Sequence, residues 1–157
     1  MIKAIRTHSG NHDFIALVQL LDAELKKRDG EDHSFYAQFN TLDHIGHVVL
    51  AYEDGIALGC GAIKVYEPNV MEVKRMFTLP TGRGKGIASR VLAELEKWAS
   101  EMSFEKCILE TGQKQPEAIG LYTKNGYKVI PNYGQYAGVE NSVCFEKRLE
   151  VLQNEIG

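Results

Sequence analysis

The feature that most constrains the fold is the stretch Arg83-Gly84-Lys85-Gly86-Ile87-Ala88, which joins a strand pattern, Val70 to Leu79, to a long amphipathic helix pattern. A glycine-rich turn at a helix N-terminus leaves several backbone N–H groups unpaired at the positive end of the helix dipole, so it suits a phosphate-bearing ligand. A strand end, this turn and a helix start are therefore consecutive parts of the fold, and the question is which phosphate ligand they receive.

From Gly86 to Met102 the apolar residues Ile87, Val91, Leu92, Leu95, Trp98 and Met102 recur at three- and four-residue steps, with Arg90, Glu94, Lys97 and Glu101 behind them. This is a core-facing helix. Upstream, Ile2 to Thr7 alternates as a half-buried strand, and Asn11 is placed to cap a helix through about Lys27 with Phe14, Ile15, Val18, Leu21 and Leu25 on one stripe. His47 to Tyr52 and Ile56 to Val65 flank the hairpin-turn sequence Glu53-Asp54-Gly55, and Met71 to Leu79 follows the turn Glu67-Pro68-Asn69 as the third strand of a meander ended by Pro80. Downstream come a short buried strand, Lys106 to Glu110, a helix from Pro116 to Asn125-Gly126, and strands at Tyr127 to Ile130 and Ser142 to Leu149. The segment Glu31 to Gly46 is polar and weakly periodic, and its sequence leaves helix and loop open. The order predicts a mixed α/β (α+β) chain: one central sheet of about six to seven strands flanked by helices, in a single domain over residues 1–157.

Composition narrows the class. The 157 residues, 44% hydrophobic and 25% charged, suffice for one domain with one core. A net charge of -3 and a pI near 6.0 give no basic field for a nucleic-acid backbone. No stretch approaches the roughly 20 apolar residues a bilayer crossing needs, and the N-terminal residues lack a secretory apolar run, so a soluble, cytoplasmic protein with no membrane partner is expected. Cys60, Cys107 and Cys144 are odd in number and sit in apolar strand runs, as buried reduced thiols do. His44 and His47 straddle the start of a strand, which does not suit a metal pair, and no metal is expected.

Three phosphate-binding signatures can be tested letter by letter. A P-loop requires Ser or Thr after its lysine, and Lys85 is followed by Gly86. The dinucleotide pattern Gly-x-Gly-x-x-Gly/Ala fails in both registers, ending at Ser89 or at Ile87. The pattern Gln/Arg-x-x-Gly-x-Gly/Ala is met by Arg83, Gly86 and Ala88, after Met76-Phe77-Thr78-Leu79-Pro80 and before the helix Pro116-Glu117-Ala118-Ile119-Gly120-Leu121-Tyr122 that runs into Asn125-Gly126-Tyr127. With these motifs, spanning roughly Glu72 to Val129, the chain resembles the GNAT superfamily of acyl-CoA-dependent N-acetyltransferases. Gly120 departs from the family's usual alanine or other helix former.

That resemblance implies a GNAT-type fold in which the strands Met71 to Leu79 and Lys106 to Glu110 splay near a bulge and leave a cofactor cleft. It implies acetyl-CoA as co-substrate, its pantetheine amides against backbone at Phe77 and Thr78, and its pyrophosphate on the amides of Arg83, Gly84, Lys85, Gly86, Ile87 and Ala88. The side chains of Arg83 and Lys85 either add charge there or are solvated, and the Ser89 hydroxyl either reaches a phosphate or belongs to the first helical turn. Tyr122 stands where the family places the general acid that protonates the departing thiolate, against the alternative of a packed core aromatic; a phenol is a donor at neutral pH. Glu72 is the candidate general base or a partner of Lys74 or Arg75, with Glu110 as the rival carboxylate. Tyr133, Tyr136 and His33 are candidate acceptor contacts or surface residues. No cysteine falls in the donor motifs, so direct attack by a primary amine in a ternary complex is expected. An acyl-CoA sensor without turnover is the alternative, and exposed C-terminal strand edges suit a homodimer.

Overall fold

A computed structural model describes residues 1–29 and 46–150. Strand β1 (Ile2–Thr7) leads into α1 (His12–Asp29); β2 (His47–Glu53), β3 (Ile56–Glu67) and β4 (Val70–Thr78) form the meander; a 3₁₀ turn (Pro80–Gly82) precedes α2 (Ile87–Glu101); then follow β5 (Lys106–Gly112), α3 (Pro116–Lys124), β6 (Lys128–Ile130), a second 3₁₀ turn (Gly134–Tyr136) and β7 (Ser142–Arg148). The seven strands make one sheet in the order β1-β2-β3-β4-β5-β7-β6, antiparallel except at β4–β5.

Local chemistry accounts for the element boundaries. The Asn11 side-chain oxygen accepts from the N–H groups of Asp13 (2.9 Å) and Phe14 (3.2 Å), which starts α1. The buried stripe of that helix is Phe14, Leu17, Val18 and Leu21, so Leu17 and not Ile15 faces the sheet. Asp54 and Gly55 take the positive φ values of 52° and 79° that a tight hairpin demands. In α3, Pro116 occupies the first turn, where its missing N–H costs nothing. A Cβ on Gly120 would meet nothing within 4 Å, so packing among the described residues does not require that glycine.

Both sheet faces are covered, which is why β2 reads as an unbroken apolar run. Val49, Ile63, Met71 and Leu109 pack with Val91, Leu92 and Leu95 of α2 on one face. Val48, Leu50, Ala62 and Phe77 pack with Phe14, Val18 and Leu21 of α1 on the other.

Two irregularities in β4 position the site. Cys60 pairs with Phe77 and Ala62 with Lys74, so Gly61 stands opposite both Arg75 and Met76: a β-bulge. Arg75 takes the left-handed conformation there, φ 61°, at a cost of roughly 1–3 kcal/mol for a non-glycine residue. Its surroundings hold it: the Cys60 thiol donates to the Arg75 carbonyl at 3.4 Å and the Arg75 guanidinium donates to Asp22 at 2.7 Å. Two residues before the bulge, β4 and β5 part. Their parallel pairing covers only Val70 to Glu72 against Lys106 to Ile108, and from Val73 onward β4 has no partner in β5.

Candidate active site

The gap left by the diverging strands opens into a groove of about 420 Å³. Phe77 and Thr78 form its strand wall, the turn from Arg83 to Ser89 its end, and Ala118, Leu121 and Tyr122 of α3 its opposite side. Gly84 and Gly86 have φ of 80° and 76°, a region that admits glycine without strain, and a Cβ on either would meet nothing. It is the backbone path, not crowding, that requires glycine at these two positions. The first helical bond of α2 runs from the Arg90 N–H to the Gly86 carbonyl (3.0 Å), and no side chain caps the helix. The N–H groups of the first turn are therefore presented at the groove with the positive end of the dipole behind them.

Of the residues expected to bind the donor, Phe77, Thr78, Arg83, Gly84, Gly86, Ile87, Ala88 and Ser89 line this groove. Lys85 does not: its ammonium donates to Glu53 at 2.7 Å, and that pairing holds the Glu53 carboxyl below its usual range. Arg83 lines the groove while donating to Glu24 of α1 at 3.2 Å. The Ser89 hydroxyl accepts from the Asn125 side chain at 3.1 Å, and the same amide donates to the Leu121 carbonyl at 2.8 Å. Asn125 thus ties the start of α2 to the end of α3, a role the sequence alone does not announce.

A second, smaller cavity of about 110 Å³ lies on the other side of the bulge, walled by Glu72, Lys74, Arg75, Glu110 and Tyr136 with Leu21 and Leu25 of α1. Tyr122, Met76 and Gln115 line both cavities, so the two are adjoining halves of one cleft. Tyr122 is buried, its ring 5.7 Å from that of Tyr127 and 5.9 Å from that of Phe145. Burial first and the nearby Glu110 charge second push its phenol up, which keeps it protonated at neutral pH.

Glu72 and Glu110 differ in their surroundings. The Tyr133 hydroxyl donates to one oxygen of Glu72 at 2.6 Å, and Lys74 Nζ stands 3.8 Å from the other. The expected alternative for Glu72, pairing with Lys74, is thus present. Glu110 sits on the diverging end of β5, where Ser142 donates to its Oε2 at 2.7 Å. Tyr136 is buried in the cavity wall, whereas Tyr133 stands behind it, its ring edge-on at 5.7 Å and its hydroxyl donating to Glu72. Asn132 fastens their loop by donating to the carbonyls of Val139 (3.0 Å) and Ser142 (3.2 Å). His33 and His44, with the rest of residues 30–45, lie outside the described residues. His47 packs edge-on against Trp98 at 4.7 Å.

All three cysteines are buried. Burial pushes the thiols of Cys60 and Cys107 up to about 12 and that of Cys144 up to about 11, so none is a ready thiolate, and none lines either cavity. Among the described residues no group of His, Cys, Asp and Glu side chains is placed to hold a metal ion, and no helix is long and apolar enough to cross a membrane.

A parallel strand pair that splays close to a bulge, with an uncapped helix N-terminus at the mouth of the gap, is the arrangement that the resemblance to acyl-CoA-dependent N-acetyltransferases implied. The model of the acetyltransferase (GNAT) family matches residues 14–127, and the chain belongs to that family. It is 38% identical over 102 residues to the IAA acetyltransferase of Azospirillum brasilense, a match spanning 64% of this chain and 67% of that one. A crystal structure from Klebsiella pneumoniae assigned as an acyl-CoA N-acyltransferase superposes with a TM-score of 0.80 at 30% identity, covering 96% of this chain and 99% of the other. The PaiA N-acetyltransferase of Thermoplasma acidophilum, solved in complex with coenzyme A, shares the fold at a TM-score of 0.68 and 20% identity over 94% of this chain and 99% of its own. Acyl transfer is accordingly the class of reaction this enzyme performs.

Proposed function

We propose that the protein moves an acetyl group from acetyl-CoA to a primary amine by direct attack in a ternary complex. The observation that carries this reading is the continuity of the cleft: an uncapped helix start and the part of β4 that has no β5 partner on one side, a carboxylate-bearing cavity on the other, and Tyr122 between them. The donor residues fit their ligand. First-turn amides from Ile87 to Ser89 suit a diphosphate, Arg83 adds charge at the same mouth, and backbone groups at Phe77 and Thr78 with no β5 partner suit an amide chain. Acetyl-CoA supplies an activated thioester; everything else falls to the chain's own side chains.

Tyr122 holds the proton that the departing sulfur requires, and its raised pKa keeps that proton in place until it is needed. An amine substrate arrives protonated and must lose a proton before it can attack. Both carboxylates have partners, Glu72 in Tyr133 and Lys74 and Glu110 in Ser142, and what separates them is that the Glu110 charge acts on the Tyr122 phenol. Glu110 therefore takes the proton, directly or through a water, and Glu72 organises Lys74 and Tyr133. Tyr136 shapes the acceptor wall.

The protein works as a single domain in the cytoplasm, with acetyl-CoA and an amine as its partners and with no metal. Exposed Val129 on the edge strand β6 offers a surface for a second copy. Thiol release on mixing with acetyl-CoA and a panel of amines tests the central reading, and release that saturates with both substrates is expected. Tight coenzyme A binding with no release from any amine would favour the sensor alternative.

A further inference from the structure

The passage between the two halves of the cleft has a lining of its own. Leu21 of α1, Met76 of β4, and Gln115, Ala118 and Tyr122 in and just before α3 line both cavities. A group carried from one half to the other must lie among these residues. Apart from the Gln115 amide and the Tyr122 hydroxyl, their side chains are apolar.

Met76 is fixed in this passage by the strand beside it. It is half-buried and sits at the bulge, where Gly61 of β3 stands opposite both Arg75 and Met76. A Cβ built on Gly61 would overlap the Met76 sulfur and stand 2.9 Å from both Leu95 and Val91, closer than side chains approach one another. The sulfur therefore occupies the space that the missing methyl leaves, and two residues of α2 close the same spot. A methionine is ordinarily an adaptable filler, but the end of this one is pinned in a close-packed corner and has no room to withdraw. Across the passage Ala118 contributes a single methyl group. The acceptor cavity beyond holds only about 110 Å³, and the attacking amine needs that room. Each methylene added to the acyl group must then press on the Met76 wall or take space from the amine.

Resting on the acetyl-transfer reading of the same cleft, we propose that Met76, pinned over Gly61, sets the length of acyl group that the enzyme transfers, with Ala118 as its counterpart on α3. Acetyl passes. Longer chains fall off by about tenfold per methylene, the low end of what one methylene is worth in a shaped apolar pocket.

The test measures thiol release from acetyl-, propionyl- and butyryl-CoA against a fixed mixture of ethylamine, lysine and spermidine, read as the ratio of kcat/KM between donors within each protein. Met76→Ala should raise the butyryl-to-acetyl ratio by about tenfold or more, the worth of the room it opens. Ala118→Val narrows the same passage from the helix side and should lower the propionyl-to-acetyl ratio below the parent's. Lost packing alone slows all three donors alike and leaves the ratios where they were. A folded Met76→Ala protein with the parent's ratios would therefore overturn the assignment, as would a parent that uses butyryl-CoA as well as acetyl-CoA. Should Met76→Ala fail to fold, Met76→Val removes less volume and is read by the same ratio. No thiol from acetyl-CoA with any of the amines would tell against acetyl transfer itself, and calorimetry of the three acyl-CoAs on parent and variant then decides the role of Met76. Affinity that falls with chain length and is levelled by Met76→Ala would uphold it, and equal affinity of the parent for all three would overturn it.

Discussion

The two halves of the cleft are built from different materials. The donor half is backbone: a helix start, two glycines of positive φ and a strand stretch with one free edge. The acceptor half is side chain: two carboxylates, two cations and a tyrosine contributed by β4, β5 and the loop before β7. A surface made of main chain recognises what its ligand has in common with every other copy of that ligand. A surface made of side chains can change what it accepts with single substitutions, and for that reason it carries specificity.

Tyr122 stands where the halves meet, and its substitution should have the largest effect on the comparison. Tyr122→Phe keeps the ring contacts with Tyr127 and Phe145, so coenzyme A affinity measured by calorimetry should hold. Turnover should fall by about a hundredfold or more, the usual scale of a general acid. Loss of affinity with turnover intact would place Tyr122 in the donor half alone.

Next in size is Gly86→Val, aimed at the main-chain half. A β-branched residue forced into the left-handed region costs roughly 1–2 kcal/mol, so the melting temperature should drop. Coenzyme A binding should weaken by about tenfold for a distortion of that energy, while the relative preference among amines stays as it was. A changed amine preference would show that the halves are less separate than their construction implies.

The smallest effect concerns the one described ion pair that reaches from α1 to the turn. Arg83 is held by Glu24 at 3.2 Å, and both residues are partly exposed, so the pair is worth only about 0.2–1 kcal/mol. Glu24→Gln releases Arg83 for the ligand, and coenzyme A should bind up to about fivefold tighter at low salt, with the gain vanishing as salt screens it. Weaker binding instead would mean that Glu24 orients Arg83 for the ligand and does not compete with it.

The same contrast explains what could be read from the chain. The glycine turn, the helix behind it and the order of elements along the chain follow from local rules of turn chemistry and periodicity, and the structure has them; Tyr122 is singled out by the family resemblance, and the structure puts it in the wall of the groove. The phase of α1 differs by one contact, Leu17 for Ile15, because the neighbouring sheet decides which of two nearby apolar residues is covered. Lys85 could be assigned to the turn from its position in the motif, but its direction is set by Glu53, a residue on a strand far away in sequence. Glu72 stood out as a carboxylate within an apolar strand. That Tyr133 and Lys74 fasten it, that Ser142 serves Glu110, and that Asp22 holds Arg75 are facts of three-dimensional proximity with no spacing to betray them.

The three-residue seam between β4 and β5 has a consequence for how the protein behaves when empty. Its sheet is two smaller sheets stitched at one corner, and the amides along the open edge are left to water until something lies alongside them. On the proposed function, a donor that fills the slit completes the weave. Its binding energy is then partly folding energy, and the loaded enzyme is a stiffer, higher-melting object than the bare chain.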